Sequence, residues 1–116
     1  MRKPTLKSAI YLKGVRYSST YSQNKVWLDN KYLNPGKSLK VKTHSNAGFN
    51  WGDDEKGAAQ LALAICLELY PLEVAKEIYL DFNSEFIQSL KGDTLEVTLN
   101  IAAFNDSYAE PWLVPV

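Results

Sequence analysis

The stretch GAAQLALAICLELYPLEVAKEIYLDFNSEFIQSLKG, residues 57–92, decides the fold class of this chain. Its first fourteen residues are apolar almost all round, which is typical of a helix that is buried on most faces. Pro71 ends that helix, because proline lacks an amide N–H and crowds the preceding turn, and it can begin the next helix. Residues 72–91 carry apolar side chains every three or four positions, and Gly92 suits the position just after a helix. The sequence therefore predicts two helices, about 57–70 and 72–91.

The segment before the helices carries strand and turn signals. Apolar, β-branched and aromatic runs around Tyr11 and Trp27 predict strands. Asp29-Asn30 predicts a tight hairpin, because both residue types tolerate left-handed backbone. Residues 39–42, Leu-Lys-Val-Lys, alternate with period two, which indicates a half-exposed strand. The predicted fold class is α+β, in which a small antiparallel sheet from about 8–43 packs on the two helices and a short C-terminal segment follows.

Two interpretations stay open for the residues after Gly92. Residues 94–99, TLEVTL, alternate like a strand, whereas residues 100–104, NIAAF, fit a turn or two of helix. Residues 106–116 hold two prolines and predict a docked tail.

Length and composition set the broad class of protein. A chain of 116 residues that is 46% apolar and 22% charged predicts a single domain, 1–116, with ample material for a core. The single cysteine, Cys66, excludes an intrachain disulfide framework and fits a reducing compartment. The N-terminus lacks the apolar run of a signal peptide, and no apolar stretch is long enough to span a bilayer. We therefore expect a cytoplasmic protein that does not act at a membrane.

The charge is distributed unevenly. Residues 1–42 hold ten basic residues and one acidic residue, a net charge of +9, and residues 43–116 carry −9. Aromatic residues alternate with the cations of the first part, and sites for single-stranded nucleic acid need this pairing of rings with positive charge. Strand alternation predicts many of these lysines on one sheet face, opposite the acids of the second helix. The candidate surface for a nucleic acid or an acidic partner comprises Lys13, Arg16, Tyr17, Lys25, Trp27, Lys31, Lys37, Lys40 and Lys42.

No group of residues in the sequence predicts catalysis, a cofactor or a metal site. His44 is the only histidine, so a zinc site would depend on carboxylates alone. Cys66 lies within the apolar helix, where burial makes a thiol a poor nucleophile. Glu77, Asp81 and Glu85 fall at i, i+4 and i+8 on one helical stripe, and a solvated face is the expected interpretation. We predict that the protein is not an enzyme.

The residues Phe49-x-Trp51-Gly52, followed by Gly57-x-Ala-Gln60-Leu-Ala-Leu-Ala, form a recognisable motif. This motif resembles that of a small domain family of unknown function, which occurs in bacterial, phage and mobile-element genes. The resemblance implies a common α+β fold, a short helix near residues 99–104 and an origin in a phage or other mobile element, but no activity.

One departure from the family pattern concerns the loop after Gly52. The family has a glycine-rich loop there, whereas this chain has Asp53, Asp54 and Glu55, which would repel an anion at the helix N-terminus. We therefore interpret the motif residues as structural. Gly57 allows the close approach of another element, and the Gln60 amide bonds the loop backbone.

These observations lead to two hypotheses for function. The first is a small cytosolic binding or adaptor protein without catalytic activity, which works through a protein partner or through self-association. The alternative is a nucleic-acid-binding protein that uses the basic, aromatic segment of the strands.

Overall fold

The computed structural model describes residues 6–17, 24–45, 48–52 and 54–113. Four strands form one antiparallel sheet in the order β3-β2-β1-β4: β1 Ala9–Val15, β2 Lys25–Leu28, β3 Lys31–Tyr32 and β4 Thr94–Asn100. The helices are α1 Gly36–Val41, α2 Glu55–Leu69, α3 Leu72–Phe82 and α4 Ala102–Phe104. A π-helical turn, Asn83–Ile87, extends α3, and a second π-helical turn, Asn105–Ala109, leads from α4 into the 3-10 turn Glu110–Trp112. The predicted α+β fold is confirmed.

The hairpin between β2 and β3 forms where the sequence predicts it. Asp29 and Asn30 both have positive φ, 50° and 68°, as a two-residue hairpin turn requires. The Asp29 carboxylate also accepts hydrogen bonds from the Tyr11 amide and from Lys7, which fix the turn against β1. Burial raises the pKa of Asp29, but the hydrogen bonds and the charge of Lys7 outweigh it and leave that pKa lowered.

The region after Gly92 forms both of the predicted structures, first a strand and then a short helix. Residues 94–100 form β4, which pairs with β1 over seven residues, and the short helix α4 follows. The sheet therefore includes a strand from beyond the helices as well as strands from residues 8–43. The described part of the predicted tail, 106–113, docks on the core, where Ala109 and Leu113 are buried. Just before it, the Asn105 side-chain amide donates to the Lys7 carbonyl at 2.7 Å and accepts from the Tyr70 hydroxyl at 2.6 Å. Residues 114–116 lie outside the described part of the chain.

The strand predicted at residues 39–42 is wrong, because these residues lie in and just after helix α1. The Asn34 side chain accepts a hydrogen bond from the Gly36 amide, and the Leu39 amide bonds the Pro35 carbonyl, so Pro35 begins a helical turn. An apolar–polar alternation over only four residues also fits a single helical turn that buries one of its sides. Three lysines predicted on the sheet consequently lie on α1, which packs against α2, or directly after it: Lys37, Lys40 and Lys42.

Helix α2 is the centre of the core. Every residue from 57 to 67 is buried, as the apolar pattern predicts. Its side chains share one core cluster with the inward residues of the sheet and of α3. The second predicted helix is α-helical only to Phe82, because the Gln88 amide bonds the Asn83 carbonyl and so closes a π-helical turn. In the residues described, no helix is long and apolar enough to cross a membrane.

Candidate binding surface

The sheet has one face covered by helices and one open face. Along β1 the inward residues Ile10, Leu12 and Gly14 are buried, and the residues between them point outward. The same alternation in β2 buries Val26 and Leu28. The outward side chains include three aromatic rings and two lysines: Tyr11, Trp27, Tyr32, Lys13 and Lys25.

Strand register places a row of these side chains across the sheet. Lys13 lies opposite Trp27, and Trp27 lies opposite Tyr32. The two rings meet edge to face with centroids 6.0 Å apart, and Tyr32 is 53% exposed. Glu96 of β4 lies on the other side of Lys13 and accepts a 2.7 Å hydrogen bond from the Tyr11 hydroxyl, which raises the pKa of Tyr11. The open face therefore combines one exposed ring, Tyr32, and two half-buried rings, Tyr11 and Trp27, with cations on its β1–β2 side.

The structure divides the nine residues predicted as a basic surface. Lys13, Lys25 and Trp27 share the open face, whereas Lys31 pairs with Leu28 and belongs to the inner side of the β3 edge. Tyr17 is exposed just beyond the end of β1. The three lysines of the α1 region lie on the helical side of the molecule, where Lys37 forms an ion pair with Glu68 at 2.9 Å. The residues of the candidate surface thus lie on two sides of the domain, and only part of the lysines share one sheet face.

Arg16 has a different role from the other predicted cations. Its guanidinium lies 4.7 Å from the Trp51 ring centroid and donates to the Asn50 side chain at 2.9 Å and to the Trp51 carbonyl at 3.0 Å. Asp93 lies 3.5 Å from the same group. The buried Trp51 indole N–H in turn donates to the Gly92 carbonyl at 2.9 Å. Arg16 therefore fastens the loop of the family motif to the end of β1, beside a cleft of about 610 Å³.

The N-terminus of α2 is occupied by the protein's own carboxylate. Asp54 caps the helix by accepting from the Gly57 amide at 3.0 Å, and it also accepts from the Asn50 side chain at 3.2 Å. A capping carboxylate satisfies the positive end of the helix dipole, so this end of the helix does not favour a phosphate. Asp53, which was part of the same expectation, lies outside the described residues.

Gln60 holds the segment between α1 and the motif loop. Its side chain is fully buried, and its oxygen accepts from the amides of His44 at 2.6 Å and Ser45 at 3.1 Å. Its nitrogen donates to the Ser38 hydroxyl at 2.9 Å and to the Lys42 carbonyl at 3.1 Å. The Gln60 oxygen thus accepts two hydrogen bonds and its NH₂ group donates two, so the side-chain amide is fully hydrogen-bonded without water.

His44 lies in the same segment and contacts α3. Its Nε2 atom lies 2.6 Å from the Tyr79 hydroxyl. Burial, with a contribution from the charge of Lys42, lowers the pKa of His44, and burial raises the pKa of Tyr79. Burial and the charge of Lys42 therefore favour the neutral imidazole of His44.

This shift predicts a stability change between pH 7.5 and pH 5.5. Because the pKa of His44 is lowered in the folded state, the unfolded chain binds the proton first as the pH falls through 6.5. Stability is then full above that pH and decreases below it. Thermal unfolding of the wild type should show this decrease, and His44→Asn should reduce it. An equal decrease in both proteins would contradict the assignment to His44.

Neither a metal-binding cluster nor an exposed thiol occurs among the described residues. No group of three or more His, Cys, Asp or Glu residues among them could hold a metal ion. Cys66 is fully buried in α2, and burial raises the pKa of its thiol well above the ordinary value. Glu77, Asp81 and Glu85 are exposed on α3 and its extension.

The fold and the open sheet face define a small α+β protein with a candidate surface for binding. The chain belongs to a family of unknown function, DUF6166, whose model matches residues 12–110. This finding confirms the expectation of a domain family without known activity. Neither the search of curated proteins nor the search of solved structures gives a match.

Two aromatic residues of the open face are missing from the predicted surface. Tyr32 pairs with Trp27, and Tyr11 lies two residues before Lys13 on the same face of β1. A two-residue turn at Asp29-Asn30 already requires this pairing with Trp27, because the partners in the hairpin follow by counting outward from the turn. The hairpin register was therefore the signal that could have found Tyr32.

Proposed function

We propose that this chain is a small, cytosolic, non-catalytic binding protein that holds single-stranded nucleic acid on the open face of its sheet. The observation that carries the proposal is the row of Lys13, Trp27 and Tyr32 across three adjacent strands on the open face. Bases can stack on exposed rings, and lysines can neutralise the phosphates that connect those bases. Such contacts read no particular sequence.

The side chains around this row suggest how a strand would lie. Lys25 is exposed next to Val15, one step along the sheet from the row. Glu96 repels phosphate, but it lies on the β4 side and is engaged by Tyr11. The nucleic acid would therefore follow β2 and β1 in preference to β4. Each phosphate that a lysine neutralises releases counterions, so the binding should weaken as salt rises, with a shallow slope because the face carries only the lysines Lys13 and Lys25 among the described residues.

The salt dependence of binding tests this proposal. A labelled oligothymidine should bind with an affinity that falls as salt rises, and Lys25→Ala should reduce the slope of log K against log salt by about 0.7. Lys40→Ala is the matched control, because Lys40 lies on α1 at the helical side. Trp27→Ala should weaken binding by about 1–3 kcal/mol through lost stacking. No binding at low salt, or equal effects of Lys25→Ala and Lys40→Ala, would contradict the proposal.

A second candidate is a protein partner, in the adaptor role that the sequence suggests. The observation that favours it is the exposure of Leu72 and Leu80 on α3, at 51% and 52%, beside the acids Glu77 and Asp81. Exposed apolar side chains among acids suit a partner that is basic and apolar. This candidate predicts that Leu80→Ser abolishes partner binding whereas Lys25→Ala does not. An origin in a phage or other mobile element is part of the same proposal and rests on the motif resemblance.

A further inference from the structure

Strand β4 is one edge of the sheet. It pairs with β1 on one side, and no strand in the described ranges pairs with its other side. Edge strands usually carry lysine, proline or a bulge, or are very short, because an open edge can pair with another chain. β3, at the opposite edge, has only two residues. β4 has seven residues, TLEVTLN, without lysine, proline or a bulge, and its register to β1 is unbroken. Its one charged side chain, Glu96, accepts a hydrogen bond from Tyr11.

The backbone groups that face outward can be identified from the ladder. The Arg16 amide bonds the Asp93 carbonyl, and the Ile101 amide bonds the Ser8 carbonyl. Since hydrogen-bonded pairs alternate along an antiparallel ladder, the odd-numbered residues from 93 to 101 bond to β1. The amides and carbonyls of the even-numbered residues therefore point away from the sheet. These are Thr94, Glu96, Thr98 and Asn100.

We propose that β4 pairs antiparallel with β4 of a second copy about a two-fold axis at Val97, which joins the two sheets into one of eight strands. In this register Thr94 lies opposite Asn100 of the other copy, and Glu96 lies opposite Thr98. These are the residues whose backbone groups face outward, so each pair can exchange two hydrogen bonds. The inference is independent of the nucleic-acid proposal.

The side chains fit the same register. Leu95 lies opposite Leu99, and Val97 lies opposite its own copy, so apolar residues meet on the inner face. Val97 and Leu99 are only partly buried, whereas their neighbours in β1, Leu12 and Ile10, are fully buried. A second copy would cover this remaining apolar surface.

Charge also favours this register over the neighbouring one whose two-fold axis lies at Glu96. The two Glu96 side chains lie on a diagonal about 7–8 Å apart, and each is held by its own Tyr11. A shift by one hydrogen-bonded pair would place Glu96 directly opposite Glu96, which is destabilising. Because the two-fold axis is perpendicular to the sheet, the open faces of both copies lie on the same side.

Sedimentation equilibrium of the full chain tests the pairing. We expect a mass of twice 13.1 kDa that persists at high salt, because backbone hydrogen bonds and apolar contacts hold the dimer. Thr98→Pro should convert it to monomer, since the Thr98 amide points outward and its loss removes no bond to β1. Thr98→Ala is the matched control and should remain a dimer. A monomeric wild type, or a dimer that dissociates in high salt, would overturn the proposal.

Cysteine cross-linking tests the register even if the proline variant fails to fold. Val97→Cys places two thiols opposite each other at a non-hydrogen-bonded pair, within the reach of a disulfide. Added diamide, which is reduced as it takes up the two thiol hydrogens, should give a covalent dimer. Thr94→Cys should give none, because the two copies of residue 94 lie at opposite ends of the paired strands. The native Cys66 is fully buried and does not interfere. Equal cross-linking of the two variants would also overturn the proposal.

Discussion

Gln60→Leu will lower the free energy of unfolding by about 3–5 kcal/mol, because it leaves several buried polar groups without partners, at roughly 1–3 kcal/mol each. The substitution removes the acceptor for the His44 and Ser45 amides and the donor to the Lys42 carbonyl. Leucine fills much of the same space, so most of the cost comes from the lost hydrogen bonds and a smaller part from the change of shape. Urea unfolding followed by circular dichroism measures the change.

Two further variants separate this effect from general damage to the core. Ser38→Ala removes one hydrogen bond to Gln60 and should cost about 1 kcal/mol. In the double variant the two costs should not add, since the residues are in contact. Gln88→Ala, at an exposed position, should leave stability nearly unchanged. A change below about 1 kcal/mol for Gln60→Leu would show that water replaces the lost bonds and that the segment is not held by this side chain.

Local patterns predicted those parts of the fold that depend on neighbouring residues. The turn at Asp29-Asn30 and the buried helix α2 formed as expected, because backbone preference at two residues and an apolar run of fourteen are local properties. Helix α1 was missed, because four alternating residues fit a strand or one helical turn. In the structure the helical form is held by a distant contact, because the Gln60 side chain donates a hydrogen bond to Ser38, 22 positions earlier in the sequence.

The candidate surface was only partly predictable for the same reason. Composition identified the cations and the rings, but the face of each depends on pairing between strands. Arg16 was assigned to the basic surface, whereas it contacts Trp51, which lies 35 positions away in the sequence. The position of β4 beside β1 is also set by a distant contact, and no spacing in the sequence specifies it.

Gly57→Ala should destabilise the fold by about 3 kcal/mol, although alanine is the better helix former by about 1 kcal/mol. A Cβ atom at this position would lie 2.4 Å from the Asn50 Cβ and 3.0 Å from the Asn50 backbone nitrogen. Relief requires the loop to move away, which breaks the 3.2 Å hydrogen bond from the Asn50 amide to the Gly57 carbonyl. The Asn50 side chain also accepts a hydrogen bond from Arg16, so movement of the loop should loosen the contact between Arg16 and Trp51.

The matched control for Gly57→Ala is Gly36→Ala, also within the first turn of a helix. There the added Cβ meets only the Asn34 side-chain oxygen, at 3.1 Å, and a side chain can shift. We expect Gly36→Ala to change the unfolding free energy by less than about 1 kcal/mol. Near-ultraviolet circular dichroism should change for Gly57→Ala alone, because the environment of Trp51 is altered. Wild-type stability and spectra in both variants would contradict the prediction, because they would show that the packing of α2 on the motif loop tolerates a side chain at position 57.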